Sequence, residues 1–187
     1  MNGIFFAAVG ATLAFALVYL VRRLTSFSSQ KPDDFAGQGP EFDLRKELNG
    51  DILCEGVIYG PTGKISSRFV ADMHAKWDGN VGRMTERFVY DNGDTQDREW
   101  TLTMGNDGSV KATAPDVVGT GHGRAVGPAF LMNYKFKLPK ASGGHVLDTV
   151  DWMYLVESGS IINRSQFRKY GIKVAEIVAT MRRKETA

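Results

Sequence analysis

The chain has 187 residues, enough for one domain of ordinary size with an appendage. Its formal net charge is only +2, with acidic and basic residues interleaved, so it lacks the concentrated positive face that nucleic-acid binding requires. A single cysteine, Cys54, excludes an intramolecular disulfide and a thiolate metal cage, and it reads as a small buried hydrophobe in a strand.

The run from Ile4 to Val21 carries no charge, and at about 1.5 Å per residue it reaches about 27 Å, close to the hydrocarbon thickness of a bilayer. No Lys or Arg precedes it and no small-residue cleavage site follows, which favours a retained single-pass transmembrane helix over a cleaved secretory segment. Arg22 and Arg23 follow the run directly, and the positive-inside rule then places the rest of the chain in the cytoplasm. From Thr25 to Pro40 the composition turns to Ser, Gln, Lys, Pro, Asp and Gly, too polar to fold alone. The division expected is an anchor over residues 1–24, a linker or strap over 25–48 and a barrel domain over 49–187. Phe35 and Phe42 are the docking points of the strap, and 43–49 has room for one or two helical turns.

Beyond the strap, alternating runs separated by Gly, Asn, Asp and Pro predict strands at 52–59, 65–77, 81–90, 95–104, from Ser109 toward Val118, 128–138, 145–156, 160–164 and 173–182. The last of these has a composition that also fits a helix. Pro115 interrupts the fifth, as an edge or bulge would. The clearest hairpin is VGRMTERFVY, DNGD, TQDREWTLTM, in which Asp91-Asn92-Gly93 supplies a three-residue loop. That loop pairs Tyr90 with Asp94, Phe88 with Gln96, Glu86 with Arg98 and Met84 with Trp100. A two-residue loop would instead oppose Arg87 and Arg98, a like-charge contact. If the Glu86–Arg98 face points inward the pair is buried and needs further partners, for which Asp151 and Arg164 are candidates. If it points outward, the pair is solvated. About eight or nine strands with short connections make an all-β, antiparallel up-and-down barrel, able to hold its own side chains or one small ligand.

Glu86, Phe88 and Tyr90, then Arg98 and Trp100, Asp116-Val117-Val118-Gly119, Asp151-Trp152-Met153-Tyr154, Asn163-Arg164 and Gly171-Ile172 together resemble an uncharacterised family of bacterial envelope proteins. The resemblance covers residues 35–182 and implies a lipocalin-like barrel. Many members are lipoproteins, whereas this chain has no lipid-accepting Cys after its apolar run. The likeness implies the periplasm, against the cytoplasm implied by the Arg pair, at the bacterial inner membrane in either case. It carries no established activity.

Gly119, Gly121, Gly123 and Gly127 have the composition of a phosphate-binding loop, but a β-patterned run follows where a helix is needed, so they read as a barrel bend. His74, His122 and His145 are too scattered for a metal site. Asp116, Asp148 and Asp151 are the carboxylates available for acid and base work, with no spacing that joins any two. No catalytic residue, metal or cofactor is expected. The candidate ligand-binding set is Glu86, Arg98, Trp100, Tyr134, Asp151, Trp152, Tyr154 and Arg164, with Phe130 among the aromatics that line either a cavity or a core. Two functions follow. One is a membrane-tethered, non-enzymatic barrel that binds a lipid or another apolar small molecule. The other is an accessory subunit of a membrane complex, contacting its partner through Phe35, Phe42 and the small residues Ala7, Ala8, Gly10, Ala11 and Ala14 of the helix.

Overall fold

The computed structural model describes residues 2–184, apart from the side chains of Asn2, Arg22 and Arg23. The side chains on which the charge rule rests, and residues 185–187 of the expected barrel domain, therefore lie outside the described set. A helix α1 (Asn2–Thr25) is followed by single turns at Phe27–Ser29 and Pro32–Phe35 and a short α2 (Leu44–Glu47). Ten strands then follow: β1 (Gly50–Tyr59), β2 (Ile65–Asp78), β3 (Val81–Tyr90), β4 (Thr95–Met104), β5 (Ser109–Thr113), β6 (Gly121–Val126), β7 (Ala129–Lys137), β8 (Val146–Leu155), β9 (Ile161–Lys169) and β10 (Ile172–Arg183). Each pairs antiparallel with its sequence neighbours, and β1 pairs with β10 to close the barrel.

The predicted hairpin has the expected register, with Glu86 opposite Arg98 and Met84 opposite Trp100. Its Gly93 takes the left-handed conformation at φ 88° that the three-residue loop demands. The residues predicted for the last strand form β10 and not a helix, because alternate positions Ile177, Ala179 and Met181 face the core. The strand that sequence patterning does not isolate is β6, in the glycine-rich stretch. Glycine carries no side chain to report which face it lies on, and a Cβ on Gly123 would sit 2.7 Å from the Phe130 ring. The bareness of that strand makes room for an aromatic side chain from the neighbouring one. The fifth strand also stops short of Pro115, at Thr113.

Inward side chains of β1 to β10 form one core that includes Trp100, Phe130, Tyr134, Met153 and the buried Cys54. One end of the barrel is plugged by Phe42, Leu44 and Leu48. Asp43 caps α2 by accepting from the Arg45 backbone N–H at 3.0 Å, and Trp77 Nε1 donates to the Leu48 carbonyl at 2.7 Å, tying plug to wall. The strap does not hang free. It crosses the outer face from β9 over β8 to β7 and β6: Ser28 accepts from Arg168 near one end, Phe27 and Phe35 pack around Trp152, and the Phe42 backbone N–H bonds the Gly127 carbonyl at the plugged end. A Cβ on Gly127 would fall 2.3 Å from the Phe35 carbonyl oxygen, so only glycine admits the strap there. Phe35 and Phe42 are thus docking points on the chain's own barrel. Phe42 is buried and cannot serve the contact with a partner that sequence reading assigned to it.

Candidate functional site

The lumen divides in two. Around Trp100, Phe130, Met132, Met153 and Met181 the side chains leave only about 80 Å³. Towards the other end, walled by Ile58, Phe88, Tyr90, Phe136, Phe167 and Ile177, opens a cavity of about 900 Å³. Its rim is made by the β3–β4 turn around Gly93 and the β7–β8 loop around Pro139. Apolar walls of this size with a few polar groups at the base are the usual form of a small-molecule site.

Arg98 lies at its floor. Its Nε and Nη2 donate to the two carboxylate oxygens of Asp116 at 2.6 and 3.0 Å, and Nη1 lies 3.5 Å from Glu86. The guanidinium also stacks over Trp100 at 4.9 Å and Phe136 at 5.3 Å. Position dictates this arrangement. β5 is short and pairs with β4 only over Thr101–Met104, so the wall beside residues 95–100 is completed by the segment 114–120. That segment is hydrogen-bonded to β7 through Val118 and Asp116 backbone groups, and Arg98 latches it to β4 through the Asp116 side chain. Burial alone would lower the basicity of Arg98, but Glu86 and Asp116 hold it above the ordinary range.

Below it, Asp151 accepts from Asn163 Nδ2 at 2.6 Å and Ser165 Oγ at 2.7 Å. Burial still raises its pKa. Tyr134 meets Trp100 edge to face at 5.2 Å, and burial likewise raises its phenol. Glu86 is pushed up to about 7 by burial, against the opposing pull of Arg98 and the Trp100 indole. One cation therefore faces three carboxyls, and burial works against ionisation of both Glu86 and Asp151.

A stability consequence follows. A carboxyl held above its ordinary 4.5 keeps its proton in the folded chain at pH values where the unfolded chain has lost it. The stability contributed by protonated Glu86 is complete below 4.5 and is lost as pH rises through about 7. The loss amounts to about 3 kcal/mol, at about 1.4 kcal/mol per unit. Glu86→Gln is expected to remove the Glu86 share of this slope in thermal unfolding, leaving the share due to Asp151. An unchanged slope would remove Glu86 from that role.

Of the candidate residues, Glu86, Arg98, Trp100, Tyr134 and Asp151 converge inside the barrel. Trp152, Tyr154 and Arg164 do not line the cavity. Strand alternation that turns Asp151 and Asn163 inward turns them outward, where the strap covers them. Arg164 lies over the Phe27 ring at 4.6 Å and bonds Glu176 at 2.5 Å. With Lys173 it holds that carboxylate below its ordinary value, although burial alone would raise it. The site residues that sequence reading missed are Asp116 as the main partner of Arg98, and Phe136 and Ile177 in the wall. The inward parity of Phe136 with Tyr134 was the available sign. Asp148 pairs with Lys135 on the outer surface and is not brought near Asp116 or Asp151. Among the described residues no three His, Cys, Asp or Glu side chains are grouped to hold a metal.

Comparison with curated proteins returned no match. Among solved structures, the S-type phycobiliprotein lyase CPES from Guillardia theta superposes with a TM-score of 0.59 at 9% identity, over 77% of this chain and 92% of that one. Rv2717c from M. tuberculosis gives 0.55 at 13% identity over 79% and 99%. A protein of unknown function from the DUF3598 family of Nostoc punctiforme gives 0.55 at 13% identity, over 79% of this chain and 51% of that one. At these identities the likeness is one of fold, a lipocalin-like barrel. A family model described as protein of unknown function (DUF3833) matches residues 21–183, strap and barrel together, and the chain belongs to that family.

Proposed function

We propose that this protein is a non-enzymatic binding barrel, anchored in the bacterial inner membrane by α1, whose open end takes a lipid or another apolar small molecule. The observation that carries this reading is the cavity of about 900 Å³, with aromatic and aliphatic walls over a latched guanidinium. The packed lower lumen sets the depth to which a ligand enters, and the polar atoms of Tyr90, Gln96 and Arg98 are what its head would meet. Support for the anchor comes from Gly3–Val21, which is long and apolar enough to cross a membrane and has none of its surface buried against the rest of the chain.

Native mass spectrometry of the detergent-extracted protein, followed by organic extraction, tests the reading. We expect a bound apolar species in the native chain. Ala175→Trp, which puts an indole into the open end, is expected to lose it while keeping the native unfolding midpoint. Equal retention of the species in that variant would place the ligand elsewhere, and a native chain without any apolar species would end the proposal. The accessory-subunit reading retains one supporting observation, the unburied helix face of Ala7, Gly10 and Ala14, which permits close packing on another helix. Cross-linking in native membranes separates it from a free monomer.

A further inference from the structure

The path of the strap fixes which end of the barrel meets the membrane. Resting on the anchor reading above, we infer that the open end faces the bilayer surface, and that the β9–β10 hairpin tip, Lys169-Tyr170-Gly171-Ile172-Lys173, enters its headgroup region beside α1.

α1 ends at Thr25, and Ser28 already accepts a hydrogen bond from Arg168 Nη2 at 3.3 Å, one residue before the β9–β10 tip. Three residues span at most about 11 Å, so the helix leaves the barrel within that distance of the Arg168 guanidinium, which itself donates to the Gly171 carbonyl of the tip at 3.1 Å. From there the strap descends past Tyr154, whose hydroxyl donates to Gln30 at 2.8 Å, to Gly127 and the plug at the opposite end. A helix that joins at the open end and a strap that runs away from it leave the plugged end farthest from the bilayer.

Surface chemistry agrees independently. Tyr170 is 89% exposed and Ile172 70% exposed, the largest values for apolar side chains in the described barrel. Ile65, Val118 and Val146 are exposed on neighbouring loops and strand starts of the same rim, whereas Val156 is the large apolar residue exposed at the plugged end among the described residues. Soluble surfaces rarely gather such groups on one rim, and an aromatic ring with flanking lysines suits the interface between water and acyl chains. The charge of the open-end loops points the same way. The open-end loops carry Lys64, Lys140 and Lys169, the last over the Tyr170 ring at 5.1 Å, and Lys173 is paired with Glu176. Asp91 there is matched by Arg68 at 3.1 Å, leaving Asp94. At the plugged end the turns carry Asp78, Asp107 and Glu157, while α2 and the end of β10 bring Arg45, Lys46, Arg183 and Lys184. An anionic lipid surface would attract the lysines of the open-end loops. A ligand could then pass between bilayer and cavity without crossing bulk water.

The test is fluorescence quenching in full-length protein reconstituted in phosphatidylcholine–phosphatidylglycerol vesicles carrying nitroxide lipids. Cys54 is buried, and its thiol is pushed up to about 12 by burial and then by Glu86, so introduced cysteines can be labelled selectively. Labels at Tyr170→Cys and Ile172→Cys are expected to be quenched by headgroup nitroxides several-fold more than one at Ser158→Cys, while Ala11→Cys within α1 is quenched by mid-chain nitroxides. Quenching at Ala11 with Tyr170 and Ile172 no higher than Ser158 would keep the anchor and overturn the orientation. No quenching at Ala11 would overturn both. Ligand content, read by mass spectrometry, is independent of either result.

Discussion

Replacing Arg98 with Ala is expected to lower the unfolding free energy by about 3 to 5 kcal/mol, the usual cost of removing one partner from a buried ion pair. The guanidinium and Glu86 are both largely shielded from solvent, and Asp116 relies on it for both of its carboxylate contacts. Without it Asp116 loses both of its hydrogen-bond donors and the 114–120 segment loses its tie to β4. The loss should depend on pH in a definite direction. Below 4.5 Glu86 is protonated whether Arg98 is present or not, so only the Asp116 contact is missing. Above about 7 the native chain holds an ionised Glu86 beside its cation, and the variant has none, so the penalty is larger there. Chemical unfolding at both ends of that interval measures the difference. A variant with the native midpoint at high pH would show that the cluster bears little of the fold's stability.

The register of that hairpin was legible because three constraints agree in a short stretch: the turn residues, the alternation on both arms, and the charge pairing of Glu86 with Arg98. Closure into an antiparallel barrel followed from repeated alternation with short connections. What sequence could not show was the third partner. Asp116 reaches Arg98 because β5 is short and a loop completes the wall, a tertiary accident of strand lengths that no local pattern encodes. The outward placement of Trp152 and Tyr154 was hidden for a related reason. Aromatic residues on a strand normally mark the core, but here a second apolar surface exists outside the barrel, created by a polar strap whose own composition predicts no fold. Phe27 and Phe35 alone mark that docking, and single phenylalanines in a polar stretch carry little pattern.

That outer cluster is where the second large effect is expected. Trp152 is fully buried, stacked on Tyr154 at 5.8 Å and packed on Phe35 at 5.5 Å, with Phe27 completing the patch. Trp152→Ala removes the surface on which the strap rests and should cost about 3 to 5 kcal/mol, as truncation of a buried large aromatic generally does. Its indole N–H has no hydrogen-bond partner among the described residues, so Trp152→Phe sacrifices area without stranding an acceptor and should cost much less. The two substitutions therefore separate packing from polarity at one position. Because the inner core is a distinct cluster, the barrel should stay closed in Trp152→Ala while the strap detaches. Limited proteolysis then should cut within residues 26–41 in that variant and spare the native chain and Trp152→Phe. On the anchor proposed above, a released strap would also free the barrel to rotate, and headgroup quenching at Tyr170→Cys should fall with it. Protection of 26–41 that survives Trp152→Ala would mean that Phe42 and the plug, and not the outer patch, hold the strap in place.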